Sequence, residues 1–578
     1  MNLSPNPIPQ NTSRWPSCCL WIVMILSFTI TSWLAIDTRY INFWPTDSYF
    51  FYLPAAKQLF DLTYISDLHH LNSDKALGSV VMHGKEALIL GIAIFQKILK
   101  DTESLYPNIL LLICAFEGCA LLIFLIFRKL FNVSISFLIF FLFITSFWPY
   151  MYILQGAHQP LALLFFLIAF YSMQCYWQHR LFPFLAGTSL GLMLFASPTA
   201  ILYLGYFPIL YLFLQDYKCS VSIAKALPAI LNMLLFLLGI ILIVIFFTMP
   251  APWTNLKQFS LFIFASQKLN HFDHYYDYLS HVLPAPYPVD GPRPISFRGG
   301  GWLWIFKYFL LIMPIVFGSY LFAICYLLKR GLHYRKNLIV ILLSLSTPLA
   351  VEMAQVSQFG RNYFSWYFGI LFLIGYALYH RLLQPPNRNS TPPILLICMM
   401  TALGVHLIFN VTVFFQDIYP SRMGTARLQQ WLKKNNIQEL LVIRDHINND
   451  FTASVFQNPK LNPKIKLYSI SSIVQPTKGW ILVPPKTGKN IVRDCADDDF
   501  IFDPFLNLLY DKGDIERYAE VSFPTLAASR YWVQEEEICT YRDLIVGQIA
   551  NKDRQNGRMY ILNAAKLHHE WVPYLKSK

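Results

Sequence analysis

Charge is what this sequence lacks most. Charged side chains make up 14% of it and hydrophobic ones 55%, whereas a soluble globular chain carries about 25% charged residues. That excludes a soluble enzyme on a single anchor and leaves a polytopic membrane protein. A basic-aromatic pattern of the RNA-binding kind is also missing. The net charge of +13 sits largely in short loops between apolar runs, as the positive-inside rule requires, so no nucleic-acid partner is expected. The two halves show no convincing inverted repeat, which weakens a transporter reading. The polar C-terminal part has no glycine fingerprint after a strand, so no dinucleotide is expected there.

What is present is a series of apolar spans. Residues 1–17 are polar and rich in Pro, Asn and Ser, and are expected to be a disordered cytoplasmic N-terminus. The first span covers about Cys18–Ile36 and is retained, because no small-x-small cleavage site follows it. Further spans are expected at about 107–127, 133–151, 159–177, 181–197, 199–215, 227–248, 302–328, 338–354, 363–380 and 393–415. The pair 181–197 and 199–215 also reads as one helix bent at Pro198. Alternate loops carry the basic residues, among them Arg128, Lys129, Arg180, Lys329, Arg330, Arg335 and Lys336. About eleven spans follow, with the N-terminus inside and the C-terminus outside a cytoplasmic (inner) membrane. Residues 37–106 and 249–301 are then long outside segments. Within the first, Leu88–Leu99 is apolar but too short to span, and reads as a helix in or dipping into the interface.

From about residue 417 the chain turns polar. Arg422–Asn435 is amphipathic, and 439–444, 464–470 and 480–483 read as strands. The fold class is therefore a polytopic α-helical membrane protein with a C-terminal soluble α/β domain over 417–578. Of ten cysteines, Cys18, Cys19, Cys114, Cys119, Cys175, Cys219, Cys325 and Cys398 fall in spans or near the inner face. Cys495 and Cys539 are left in the outside domain, where an oxidising compartment favours a disulfide stabilising it by about 3–4 kcal/mol.

The candidate chemistry starts in the aromatic stretch Trp44–Phe60. Asp47 stands there beside the end of a span, where lipid, protein and water meet. Partial desolvation raises a carboxyl towards values useful for a base; the plainer reading is the cap of a short interfacial helix. Lys85 can hold a lipid phosphate as a point charge, or snorkel at a helix start. Arg361 offers a fork for phosphate oxygens or an interface anchor, with Glu352 close enough in sequence to partner it. Glu117, deep in a span, reads as structural. His271, Asp273, His274, Asp277 and His281 form a metal-like run that suits zinc or manganese, but its spacing matches no specific motif. A wet, aromatic interfacial helix is the alternative, and no cofactor is expected with certainty.

Taken in order, these features resemble the GT-C membrane glycosyltransferases, in particular glycosyltransferase family 39. Asp47-Ser48-Tyr49 followed by Ala55-Ala56 is similar to the family's acid, aromatic and small-residue motif after the first span. His83-Gly84-Lys85-Glu86-Ala87-Leu88 stands where the family has a His-x-Lys-Pro-Pro-Leu segment, with Lys85 matching and both prolines missing. Arg128–Phe131 is similar to the end of the family's second span, and Arg361-Asn362-Tyr363-Phe364 to its Arg-x-Tyr-Leu-Leu-Pro segment. One departure concerns the loop Gly156-Ala157-His158-Gln159-Pro160, where many members carry a second acid and this chain has none. Either His158 substitutes or the site uses Asp47 alone.

The resemblance covers about residues 18–410 and implies transfer of a sugar from a polyprenyl-phosphate donor to a lipid, glycan or protein acceptor at the outer face. It implies Asp47 as base, inversion at the anomeric carbon, and a substrate site drawn from Tyr49, His83, Lys85, His158, Arg298, Glu352 and Arg361. Arg293 and Arg298 are phosphate candidates that equally suit anionic headgroups. Two other classes stay open: a lipid or sugar transporter, and an assembly factor that binds through its soluble tail.

Overall fold

The computed structural model describes residues 15–37, 52–59, 85–214 (except 103, 155, 176–178 and 198–199), 223–248, 306, 309–310, 312–331, 335–354, 363–383, 393–443 (except 438–439), 467–468, 479–483, 514–524, 558–567 and 569. Helices occupy every position where a span is expected. They are α1 (Trp15–Asp37), α2 (Leu53–Gln58), α3 (Glu86–Leu99), α4 (Tyr106–Leu130), α5 (Val133–Ile144), α6 (Phe147–Ile153), α7 (Gln159–Gln174) and α8 (Leu181–Ala196). They continue with α9 (Ala200–Leu204), α10 (Tyr206–Leu214), α11 (Ile223–Thr248), α12 (Pro314–Arg330), α13 (Arg335–Ala354), α14 (Phe364–Leu383) and α15 (Pro393–Val413).

Local chemistry explains several boundaries. Pro107 opens α4 and Arg128 and Lys129 close it, each suited to its end of the helix dipole. Asn132 caps α5, its Oδ1 accepting from the Ile135 amide at 2.8 Å. Lys100 ends α3 in the left-handed region at φ 53°.

Four helices among the described residues are long and apolar enough to cross a membrane: Cys19–Ile36, Tyr106–Leu130, Ile230–Phe247 and Met400–Ile418. Large apolar side chains such as Trp21, Ile25, Trp33, Ile241, Phe322 and Ile408 stand exposed on them and their neighbours. So broad an apolar exterior belongs to a helical protein whose solvent is lipid. Three expected spans differ from the sequence reading. The one at 133–151 is α5 and α6, bent by 49°. Thr145 and Ser146 turn their hydroxyls back onto Phe141 O and Leu142 O, and the Phe147 amide donates to Asn410 Oδ1 at 2.8 Å. The one at 302–328 is interrupted at Met313, with helical residues before it at 306, 309, 310 and 312, because Met313 is pushed out of helical geometry by the proline that follows. The one expected at 199–215 contains two short helices, Ala200–Leu204 and Tyr206–Leu214, with Gly205 between them. The same proline rule separates α8 from α9, where Ser197, before Pro198, is extended.

Helix α3 is the short apolar helix expected at Leu88–Leu99. It packs against α2, α4 and α8 and buries Leu88, Ile89, Ile92 and Ala93. Helices α8 and α11 approach through glycine. A Cβ at Gly187 would fall 1.9 Å from Phe236 O, and one at Gly239 would lie 2.6 Å from Phe184 O. An aromatic cluster around Trp148, Phe309, Phe364 and Trp366 fills the space between α6 and α14.

After α15 the chain stays helical through a π-helical turn (Phe414–Ile418), α16 (Tyr419–Arg422) and α17 (Gly424–Lys434). It then enters a five-stranded sheet of order β2-β1-β3-β5-β4, built from β1 (Leu441–Ile443), β2 (Leu467–Tyr468), β3 (Trp480–Val483), β4 (Ala519–Pro524) and β5 (Arg558–Asn563). The first three strands are parallel, and β5 and β4 pair antiparallel. Leu428 and Leu432 of α17 pack on Leu440, Phe523, Met559 and Ile561. The sequence reading found the first three strands and missed β4 and β5. Cys495 and Cys539 lie outside the described residues. Among the described residues Cys19, Cys114, Cys119, Cys175 and Cys325 are free.

Candidate functional site

Three stretches far apart in sequence meet at Tyr52. The first is the aromatic stretch itself. Pro54 sits in the first turn of α2, and Ala55 and Ala56 are buried, so this short helix lies close to its neighbours. Gln96 Nε2 donates to Leu53 O at 3.4 Å and ties α2 to α3. The second stretch supplies Lys85, directly before α3. Its side chain is buried (6% exposed), with Nζ 5.4 Å from the centroid of the Tyr52 ring, a cation–π contact. The third supplies His158, at the start of α7 and 5% exposed, its ring edge-on to Tyr52 at 6.5 Å.

The loop that carries His158 is fixed by its backbone. Gly156 adopts φ 77°, its amide donates to Ile153 O at 2.9 Å, and its carbonyl accepts from Asn108 Nδ2 at 3.4 Å. His158 Nδ1 lies 2.6 Å from Ser197 Oγ, and Gln159 Nε2 lies 3.3 Å from His158 Nε2. Both ring nitrogens are thus within hydrogen-bond reach of a neighbouring side chain. The two contacts hold the imidazole in one orientation.

Lys85 and His158 are therefore brought together, as two members of the expected set. Asp47, Tyr49, His83, Arg298 and Arg361 lie outside the described residues, as do His271, Asp273, His274, Asp277 and His281. Glu352 is on α13, but its side chain is outside them too. Among the described residues no group of three or more His, Cys, Asp or Glu could hold a metal ion. Glu117 accepts from Ser27 at 2.6 Å, and Ser27 Oγ is 2.8 Å from Tyr150 Oη, so the carboxylate joins α1 to α4 and α6.

Sequence reasoning missed three residues here. Tyr52 forms the floor between lysine and histidine, although it lies only five residues after Asp47. Ser197 orients His158, and its signal was its place before Pro198. Glu86 is buried (3% exposed) in the first turn of α3, beside Lys85. It stands where the resembled motif has proline, and that departure was the signal.

No family model matches the chain, and no curated protein matches it. Solved structures are similar to it, three of which follow. One is the archaeal oligosaccharyltransferase AglB from Archaeoglobus fulgidus, in complex with an inhibitory peptide and a dolichol-phosphate. It is 12% identical, with a TM-score of 0.40, over 80% of this chain and 69% of that one. The apo form of the Archaeoglobus fulgidus oligosaccharyltransferase gives 13% and 0.42 over 75% of this chain and 63% of that one, so the chain spans less than two-thirds of its length. ArnT from Cupriavidus metallidurans bound to undecaprenyl phosphate gives 11% and 0.42, over 80% and 93%.

Proposed function

We propose that this protein is a membrane glycosyltransferase that moves a sugar from a polyprenyl-phosphate donor to a lipid, glycan or protein acceptor. The observation that carries the reading is the meeting of Lys85 and His158 on Tyr52, five residues from Asp47. Tyr52 and Lys85 lie in or beside two segments that resemble the family motifs, and His158 lies in the loop where this chain departs from them.

In this reading the Asp47 carboxylate takes the proton of the acceptor hydroxyl. The acceptor oxygen bonds to the anomeric carbon as the bond from that carbon to the lipid phosphate oxygen breaks. The bonding pair leaves with the phosphate, and in-line attack inverts the centre. Charge grows on the leaving phosphate, where Lys85 and Arg361 stabilise it. Lys85 stands at the amino end of a fourteen-residue helix, whose first N–H groups and dipole favour an anion. His158, oriented by Gln159 and Ser197, offers a fixed edge for substrate hydroxyls rather than a second negative charge. Arg298 and Glu352 join the site as further substrate contacts. The acceptor reaches the site from water, and the donor arrives laterally from lipid.

The test is direct. Purified protein is incubated with labelled polyprenyl-phosphate sugars and candidate acceptors. Label appearing in an acceptor, with release of polyprenyl phosphate, supports the transferase. Donor moved across a vesicle bilayer with no transfer makes the protein a transporter instead. Binding of a partner through residues 417–578, with neither activity, makes it an assembly factor.

A further inference from the structure

A cavity of about 440 Å³ runs between α5, α12, α14 and α15, within the ~300–1,000 Å³ typical of small-ligand pockets. None of its lining residues belongs to a segment that meets at Tyr52. Its wall is a single face of α12, from Pro314 through Gly318, Phe322 and Ala323 to Tyr326. That face is about 18 Å long at a rise of about 1.5 Å per residue. Leu142, Leu378 and Leu403 stand opposite, and the polar groups among the lining side chains are Ser319 and Tyr326. Phe322, 69% exposed, marks the side open to lipid.

One end of this cavity is basic. The Arg330 guanidinium carbon lies 5.6 Å from the centroid of the Tyr326 ring. Lys329 stands exposed beside it, and Arg335 and Lys336 begin the next helix. On α14, His380 packs on Tyr376 at 4.4 Å, one residue before the lining Ala377. No acidic residue occurs between Lys329 and Lys336. An apolar slot of acyl-chain length that ends in a cluster of cations matches one kind of molecule.

We propose that this groove binds an anionic diacyl phospholipid, with an acyl chain along α12 and its phosphate at Arg330 and Lys329. By the positive-inside rule the basic end faces the cytoplasmic leaflet, opposite the side on which the donor phosphate would be handled. The site is therefore separate from the transferase site.

Gly318 gives a clean way to close the slot. A Cβ there meets nothing within 4 Å, so Gly318→Leu fills the groove without moving the backbone and improves helix propensity. The experiment places the full chain in phosphatidylcholine nanodiscs doped with phosphatidylglycerol that carries a photoreactive acyl chain. Crosslinked peptides are identified by mass spectrometry. Label is expected on α12 and α15, competed by phosphatidylglycerol and not by phosphatidylcholine. Gly318→Leu should abolish it. Arg330→Gln should weaken competition by about fivefold, the worth of one basic side chain near anionic lipid. Equal competition by phosphatidylcholine, or label that survives in Gly318→Leu, overturns the proposal. Competition by polyprenyl phosphate alone also overturns it and assigns the groove to the donor tail. If Gly318→Leu does not fold, Ser319→Leu on the same wall replaces it, with the same outcomes.

Discussion

His158 and His406 are both buried, and each lies within reach of a serine hydroxyl, yet they stand in opposite kinds of place. His406 is inside α15, with Ser146 Oγ 3.4 Å from its Nε2. Around it Tyr367 Oη donates to Ser146 Oγ at 2.8 Å, and Asn410, one turn along, accepts the Phe147 amide. Each of these bonds holds the break between α5 and α6. His158 sits at a helix start in a short loop, 2.6 Å from Ser197, facing a tyrosine whose own segment runs back to Asp47. A polar group buried in a membrane protein is a reasonable first suspect for function. What separates these two is where their neighbours lead. One network closes on the scaffold, and the other opens onto the segments that carry Lys85 and the proposed base, Asp47.

The comparison predicts that the two regions fail differently, and the largest effect belongs to the open one. Asp47→Asn keeps the size of the side chain and removes the base. Transfer should fall by about two to four orders of magnitude while expression and thermal stability stay as in wild type. Transfer at the wild-type rate would take Asp47 out of the mechanism and leave it as a helix cap.

Lys85→Ala and Arg361→Ala come next. Each should weaken use of the lipid donor by about 10-fold to 100-fold, the scale of one charge-assisted hydrogen bond. Titrating donor at fixed acceptor measures it. A variant that binds and turns over donor normally identifies that residue as an interface anchor.

The closed region should respond in stability instead. Asn410→Leu leaves the Phe147 amide without its acceptor in an apolar setting, at about 1–3 kcal/mol. The thermal midpoint in detergent should drop, and transfer per folded molecule should hold. A selective loss of transfer would move the α5–α6 break into the site.

How much of this was readable from sequence differs between the same two regions. Scarce charge and alternating basic loops gave the helical membrane architecture, because span length and loop charge are set locally. Lys85 and His158 were legible as members of ordered short motifs. Tyr52 and Ser197 were not, since their importance comes from contacts made over long sequence separations. The break at Ser146 was hidden for a similar reason. Asn410, which takes up the freed amide, lies 263 residues further on. Prolines carried more information than the reading used: Pro198 and Pro314 each forced the residue before them out of helical geometry. In the tail, β4 and β5 were missed. The helix-strand alternation near its start already suggested a small α/β domain, and β4 and β5, which pair antiparallel, come after a long interval.

The smallest effect gives the sharpest contrast, because it asks the same question of both serines. Ser197→Ala and Ser146→Ala each delete one hydroxyl that faces a histidine ring. Each removes hydrogen bonding worth about 1 kcal/mol. For Ser146 the lost partners are Tyr367, His406 and Leu142 O, all within the scaffold. Tyr367 keeps its bond to Leu142 O at 3.2 Å, which limits the damage. Ser146→Ala should therefore lower the thermal midpoint slightly and leave transfer unchanged. For Ser197 the lost partners include His158 Nδ1, and the imidazole loses a contact that orients it. Ser197→Ala should lower transfer about fivefold, the factor equivalent to that energy, with little change in stability. Ser197→Thr keeps a hydroxyl and should restore most of the rate. If both alanine variants lower stability alone, His158 is a second scaffold histidine and the site reduces to Asp47 and its phosphate binders. If Ser146→Ala slows transfer as much as Ser197→Ala does, the two networks act as one.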